Sequence, residues 1–204
     1  MDNQQVKLYD MAYLVGFFLG DGTLYCAQSK GSYQVRFEKA DLDCMQLVSE
    51  LSNEGFGNPG KISMRNRGGQ DLHNLIICCR SLHDWLAVNT HMRTVMPDDY
   101  YFAPKKVRQE ILAGLMDSDG SAELAQTGYL TIRFTNSNLG LINAVRGLAR
   151  SLDISCGEVI PDYRAARTGY RMTLCTRDFA ERAYFNISRK QRRVDAYLEK
   201  GSVQ

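Results

Sequence analysis

Two short runs end apolar helical segments on an aspartate. The first reads Leu14-Val15-Gly16-Phe17-Phe18-Leu19-Gly20-Asp21-Gly22, and the second Ile111-Leu112-Ala113-Gly114-Leu115-Met116-Asp117-Ser118-Asp119-Gly120. A glycine just past a helix takes the left-handed conformation without a Cβ penalty, so Gly120 reads as the residue after the cap. A carboxylate fixed at such an end is a hard oxygen ligand. Mg²⁺ keeps several waters and needs only one or two carboxylates, so a sparse pair suffices for it. Gly16 and Gly20 are four residues apart and share one helix face, as do Gly114 and Ser118. Small residues there let two helix backbones approach closely. Packing of these faces would set Asp21 beside Asp119, whereas a lone Asp-Gly would merely end a core helix.

The elements that must position the pair come in two matching series. A helix over about Tyr9–Gly20 leads to a hairpin, Thr23–Gln28 and Ser32–Lys39, across Ser29-Lys30-Gly31. Asp41 is placed to cap a helix through Leu51, and a Gly/Asn/Pro-rich loop follows. Lys61–Asn66 and Leu72–Cys79 form a second hairpin over Arg67-Gly68-Gly69-Gln70, and Ser81 caps a short helix to Asn89. The second series runs helix Ala103–Ser118, strands Ser121–Gln126 and Tyr129–Thr135, helix Asn138–Leu152, strands Gly157–Tyr163 and Gly169–Cys175, helix Asp178–Phe185 and a basic tail helix, Arg189–Lys200. Phe37 and Phe134 are 97 residues apart, as are Arg80 and Arg177, and Asp21 and Asp119 are 98 apart. Nearly one offset at three anchors means an internal duplication, and duplication implies pseudo-two-fold symmetry. The expected organisation is an N-terminal half over residues 1–90, a connector over 91–104 and a C-terminal half over 105–204.

The 204 residues are 44% hydrophobic and 24% charged, as in an ordinary globular protein. The formal net charge is only +2, but it is unevenly spread. Residues 1–103 carry 9 Lys+Arg against 12 Asp+Glu, residues 104–204 carry 16 against 11, and 12 of those 16 are Arg. Arginine suits bidentate contact with phosphates and guanine edges. None of the six cysteines has CxxC spacing, so they read as reduced, mostly buried thiols rather than disulfides or a zinc site. His73, His83 and His91 form no ligand cluster and read as surface or structural groups. The first apolar run is too short to span a membrane and has an acidic flank unlike a signal peptide. The expectation is an intracellular protein of the cytoplasm, nucleoid or an organelle matrix, neither secreted nor membrane-bound.

These residues resemble the LAGLIDADG family of homing endonucleases in its single-chain, two-motif form, over about Tyr9 to Lys200. The resemblance implies an α+β fold: a duplicated αββαββα unit with pseudo-two-fold symmetry, whose two antiparallel four-stranded sheets make a DNA-binding saddle. It implies Asp21 and Asp119 as catalytic metal ligands, with the backbone carbonyls of Gly20 and Ser118 completing the metal sites. It assigns Lys39 and Asn136, at the ends of second strands, and Arg80 and Arg177, before the short helices, to orienting water and offsetting charge on the scissile phosphate. Arginine does not shuttle protons near neutral pH, so Arg80 and Arg177 would act only electrostatically. Leu19 stands where the second motif has Asp117, at a structural position.

The expected activity is site-specific, double-strand phosphodiester hydrolysis by a monomer. It would need Mg²⁺; Mn²⁺ would substitute, and Ca²⁺ would support binding without cleavage. The expected partner is double-stranded DNA with a long, near-asymmetric site, and no protein partner is required. Alternating strand parity puts Thr23, Tyr25, Ser121 and Glu123 on the outward face, with Arg36, Arg65, Arg133 and Arg171 on later strands. Arg192 and Arg193, in the basic run Arg189-Lys190-Gln191-Arg192-Arg193, are expected on phosphate, a contact that carries no sequence information and weakens with salt. Two other activities fit the same sequence: an RNA maturase, which would bind intron RNA without cutting DNA, and a non-catalytic DNA-binding regulator.

Overall fold

A helix that is apolar on every side must be buried, and Ala12 to Gly20 all are. In a computed structural model of the chain, which describes residues 3–27, 29, 31–163 and 169–201, this segment is the second helix. The order is α1 (Asn3–Asp10), α2 (Ala12–Asp21), β1 (Thr23–Ala27), β2 (Ser32–Lys39), α3 (Leu42–Phe56), β3 (Lys61–Arg67), β4 (Gln70–Ile77), α4 (Arg80–Asn89) and α5 (Asp99–Phe102). It continues with α6 (Lys105–Asp119), β5 (Gly120–Leu124), β6 (Leu130–Asn136), α7 (Leu139–Ser151), β7 (Ile160–Asp162), β8 (Gly169–Leu174), α8 (Thr176–Arg182) and α9 (Ser188–Gly201). Gln28, expected to end the first strand, and Lys30, expected in the turn after it, lie outside the described residues.

The strands make two four-stranded antiparallel sheets of the same topology, β1-β2-β4-β3 and β5-β6-β8-β7. Gly68 and Gly69 both have positive φ, as the two-residue turn joining β3 to β4 requires. Alternation sends Val35, Phe37, Leu75, Ile132, Phe134, Met172 and Leu174 into one contiguous core and leaves the other sheet faces open.

α2 and α6 cross with their backbones almost in contact. A Cβ added at Gly114 would lie 2.7 Å from Phe17 N and closer still to Tyr13 O. One added at Gly16 would lie 3.0 Å from Leu115 N and closer to Ile111 O. The small-residue face foreseen from spacing is therefore the crossing point.

The helix-end glycines differ from expectation. Gly120 has φ −85° and Gly22 φ −74°, both extended, so neither is a left-handed cap. The chain passes directly from helix into β1 or β5, and a side chain at the junction would strike the last helical turn. A Cβ at Gly22 would lie 2.7 Å from Phe18 O, and one at Gly120 2.5 Å from Met116 O. Asp41 also departs from its expected role. It precedes α3 without capping it, and its carboxylate takes two bonds from Arg189, 2.6 and 2.8 Å. Ser188 N donates to Asp43 at 2.7 Å, so the start of α9 is docked on the start of α3.

Cys44 is buried, but Cys26, Cys78 and Cys175 are exposed, which corrects the expectation of mostly buried thiols; all six are free. Among the described residues, no helix is long and apolar enough to cross a membrane.

Candidate functional site

The crossing fixes where the helices end, and each ends on its aspartate. Lys39, the last residue of β2, donates from Nζ both to Asp21 Oδ2 and to the backbone oxygen of Ser118. Asn136, the last residue of β6, donates from Nδ2 to Asp119 Oδ2 at 2.7 Å. A Cβ on Gly20 would come 2.8 Å from Asp119 Oδ2, so that carboxylate lies against the end of the opposite helix. Asp21, Asp119, Gly20, Ser118, Lys39 and Asn136 thus meet at one place.

Burial, and then the charge of Asp21, push the Asp119 carboxyl up to about 6. Two acids held this way need positive charge between them. The Lys39 ammonium touches a carboxylate of one motif and a carbonyl of the other, and so stands in for a cation at that position. The all-oxygen set, one carboxylate and one carbonyl per half-site, suits Mg²⁺ better than a soft metal. Among the described residues, no group of three or more His, Cys, Asp or Glu makes a closed metal cage.

Arg80 and Arg177 are not part of this cluster. Arg80 opens α4, packs over the Tyr33 ring at 4.7 Å and bonds Asp84. Tyr33 and Lys39 are six residues apart on β2, roughly 20 Å at about 3.3 Å per residue. Arg177 bonds Glu181, while Thr176 beside it bonds Leu130 O, at the end of β6 remote from Asn136. Both arginines follow strands that run away from the aspartates, so the sheet itself carries them to its far end.

Two cations that sequence reasoning did not assign to the site sit on it. Arg93 donates from Nε to Leu19 O at 3.0 Å, from Nη2 to Gly20 O and from Nη1 to Gly22 O. Lys190, 3% exposed, donates to Met116 O, Asp117 O and Gly120 O at 2.9, 2.8 and 2.7 Å. Each gathers carbonyls of the last helical turn and of the residue just past it, where the helix's own donors run out. Burial lowers the Lys190 ammonium to about 8. The signal for both was the repeat itself, since Arg93 and Lys190 are 97 residues apart.

Asp117 is buried, and its carboxylate accepts from Tyr13 OH at 2.9 Å, Asn186 N at 2.9 Å and Ile187 N at 3.2 Å. It ties the α2–α6 crossing to the segment before α9. Asp117→Ala would strand three donors, two of them buried, beside the Lys190 charge and is expected to cost about 3–5 kcal/mol, read from the denaturant midpoint. Asp117→Asn keeps an acceptor and should cost visibly less; equal costs would mean that the hydrogen bonds do not matter.

The outward sheet faces carry the residues expected there. Thr23 pairs with Arg36, which pairs with Ile76, and the matching row is Ser121, Arg133, Thr173. Arg65 lies opposite Leu72 on the same face as Arg36, and Arg171 lies opposite Thr135. Arg36 stacks on Tyr25 at 4.2 Å, and Arg133 bonds Glu123 at 2.9 Å. Among the described residues, the buried Arg171 Nε has no hydrogen-bond partner. The tail splits: Arg192 is exposed, whereas Arg193, though exposed over much of its length, donates to Ala122 O of the edge strand β5 at 2.6 Å. That bond covers a sheet edge rather than leaving the guanidinium free.

Residues 106–188 match the family model described as a LAGLIDADG-like domain. An uncharacterized protein of Methanocaldococcus jannaschii, MJ0398, is 22% identical over 209 residues, 93% of this chain and 72% of its own length. Among solved structures, I-DmoI in complex with DNA and Mn superimposes with a TM-score of 0.63 at 18% identity, over 86% of this chain and 96% of that one. The full-length DUF199/WhiA protein of Thermatoga maritima gives 0.61 at 14% identity, over 98% of this chain and 62% of its own. Residues 106–188 thus match a LAGLIDADG-like domain, and the chain as a whole shares the fold of I-DmoI, with two four-stranded antiparallel sheets of one topology.

Proposed function

We propose that the protein is a monomeric, divalent-metal-dependent endonuclease that cuts both strands of double-stranded DNA at one long, near-asymmetric site. The observation that carries this reading is the meeting of Asp21 and Asp119 under the Lys39 ammonium, at the seam between two open, arginine-bearing sheets. Asp21 with Ser118 O would hold one metal and Asp119 with Gly20 O another. Bound Mg²⁺ would supply an activated water and charge neutralisation at the phosphate. Lys39 brings a positive charge to one strand's scissile group and Asn136 a neutral donor to the other's. Arg36, Arg65, Arg133 and Arg171 would read the groove, beside Thr23, Tyr25, Ser121 and Glu123, and Arg192 would meet phosphate. I-DmoI, which has this fold, was crystallised with DNA together with Mn or with Ca, in keeping with Mn²⁺ substituting and Ca²⁺ supporting binding.

The test begins by selecting cleavable sites from a randomised DNA library with Mg²⁺, then cutting the selected site with variants. Asp21→Asn and Asp119→Asn should each lower double-strand cutting by about 100- to 1,000-fold, the scale of losing one preorganised stabiliser of developing charge. Full cutting by either variant would remove the metal assignment. Tight DNA binding by the wild type without any cutting would mark a non-catalytic DNA-binding protein instead.

A further inference from the structure

The two half-sites are not copies of one another: Lys39 stands opposite Asn136, and Arg93 takes different carbonyls from Lys190. Each motif helix ends under a cation from 97 residues apart in the repeat, Arg93 on α2 and Lys190 on α6. With the motif offset of 98, Lys190 takes the carbonyls equivalent to those of Phe18, Leu19 and Gly22. Arg93 takes Leu19, Gly20 and Gly22. Lys190 therefore spares Ser118 O, the carbonyl just before the second aspartate, whereas Arg93 engages Gly20 O, the carbonyl just before the first.

The arginine is held there by backbone that resists being where it is. His91, Met92 and Arg93 have φ of 45°, 58° and 75°, three consecutive non-glycine residues in the left-handed region. Such runs persist only where surrounding structure over-determines them. Buried Thr90 supplies that determination: its Oγ1 donates to Leu86 O at 2.7 Å and accepts from Arg93 N at 3.0 Å. Met92 N also bonds Ala87 O at 2.9 Å. The strained turn delivers a planar fork onto three carbonyls. The Gly20 whose carbonyl it holds is the residue against which the Asp119 carboxylate lies, so the guanidinium is anchored beside that acid.

We infer that Arg93 is a positioning residue that serves as a built-in counter-cation for the Asp119 half-site and withholds the Gly20 carbonyl from a divalent metal until DNA is bound. The inference rests on the metal assignment proposed above, but not on cleavage. Positive charge reaches the two half-sites by unrelated routes. Lys39, on a flexible stem, sits on Asp21 and Ser118 O. Asn136, its repeat equivalent, is neutral, so the positive charge near Asp119 comes from Lys39 on the Ser118 carbonyl and from Arg93 on the Gly20 carbonyl. A metal entering the Asp119 half-site of the free protein must do so against a locked guanidinium. Negative phosphate is the partner able to draw the guanidinium off.

Mn²⁺ titration of DNA-free protein, followed by electron paramagnetic resonance, tests this without any turnover. Arg93→Gln keeps amide donors for the carbonyls but drops the charge, and should bind Mn²⁺ about tenfold more tightly than the wild type. Arg93→Lys keeps a charge on a rotatable stem without the fork, and should show a smaller gain of the same sign. The gain should vanish in Arg93→Gln/Asp119→Asn and survive in Arg93→Gln/Asp21→Asn. A purely structural arginine predicts weaker Mn²⁺ binding in both single variants, and unchanged or weaker binding would overturn the inference. Should Arg93→Gln fail to give a cooperative melt, the sign for Arg93→Lys decides. Cutting assays run in parallel separate the two proposals: tighter Mn²⁺ binding without DNA cleavage keeps this inference and removes the endonuclease.

Discussion

The Asp119→Asn protein is expected to be more stable than the wild type at pH 7.5 without divalent metal, although it should lose double-strand cutting. Asp119 ionises near 3.8 in an unstructured chain and near 6 in the fold, because burial and the Asp21 charge both disfavour its anion. Between those values the folded state binds more protons than the unfolded one, so this group's contribution to stability falls as pH rises through about 4 to 6. Above 6 the full cost of the buried anion is present. Below about 4 it is absent. Asparagine carries no such cost, and its Oδ1 can still accept from Asn136 Nδ2. The expected gain is about 1–3 kcal/mol at pH 7.5, because each tenfold loss of acid strength corresponds to roughly 1.4 kcal/mol and solvent screens part of it. The gain should shrink as pH falls toward 4. Paired urea titrations of wild type and variant at pH 4.5 and 7.5 cancel every other titrating group. A variant less stable at both pH values would mean that the Asp119 anion is well accommodated without metal. Saturating Mg²⁺ should narrow the gap by stabilising the wild type more, since a ligand bound only by the folded state adds to its stability.

A site that costs stability until its ligand arrives is what function demands of two carboxylates at one seam. The cost is spread over the two ends of the crossing rather than borne by one acid. Lys39 and Arg93 each offset part of it, and they do so at positions that the repeat does not relate. Symmetry of the backbone has not imposed symmetry on the charges. On the endonuclease reading proposed above, two strands of unlike sequence would not call for equal half-sites.

How much of this is legible in the sequence depends on whether a residue's role is local. Gly16, Gly114, Asp21 and Asp119 are readable because helical spacing is a local rule and the duplication states it twice. Lys39 and Asn136 follow from resemblance and lie where strand ends meet helix ends. Arg80 and Arg177 follow from the same resemblance, yet the strands before them run toward the far end of each sheet. Gly120 shows a sound rule overridden: helix-end glycines usually supply left-handed backbone, but here a strand starts at once and the glycine is required by Met116 O. Arg93 is invisible to propensity because no pattern predicts three left-handed residues without glycine. Lys190 sits in a basic run that suggests phosphate contact, whereas the helix turns it inward onto backbone oxygens.

Gly114→Ala should be among the most damaging single substitutions in the chain, although alanine is the better helix former by about 1 kcal/mol. The methyl group would enter the gap between α6 and α2 within 2.7 Å of Phe17 N and nearer still to Tyr13 O, and backbone cannot rotate away as a side chain does. The helices would have to part along the crossing, loosening the apolar contacts on both sides of it. The expected net loss is about 3 kcal/mol or more, at the upper end for overpacking. Gly147→Ala, in the middle of α7, meets only the Tyr101 ring edge, at 3.1 Å, and should change stability by less than about 1 kcal/mol. Gly16→Ala should resemble Gly114→Ala, because its methyl group would press on Ile111 O across the same gap. The double variant carries the sharper expectation. If one close approach is at stake, separating the helices once accommodates both methyl groups, and the combined loss will fall well short of the sum of the single losses. Additive losses would mean that the two glycines guard separate contacts, and the aspartates would then owe their meeting to the sheets rather than to this crossing.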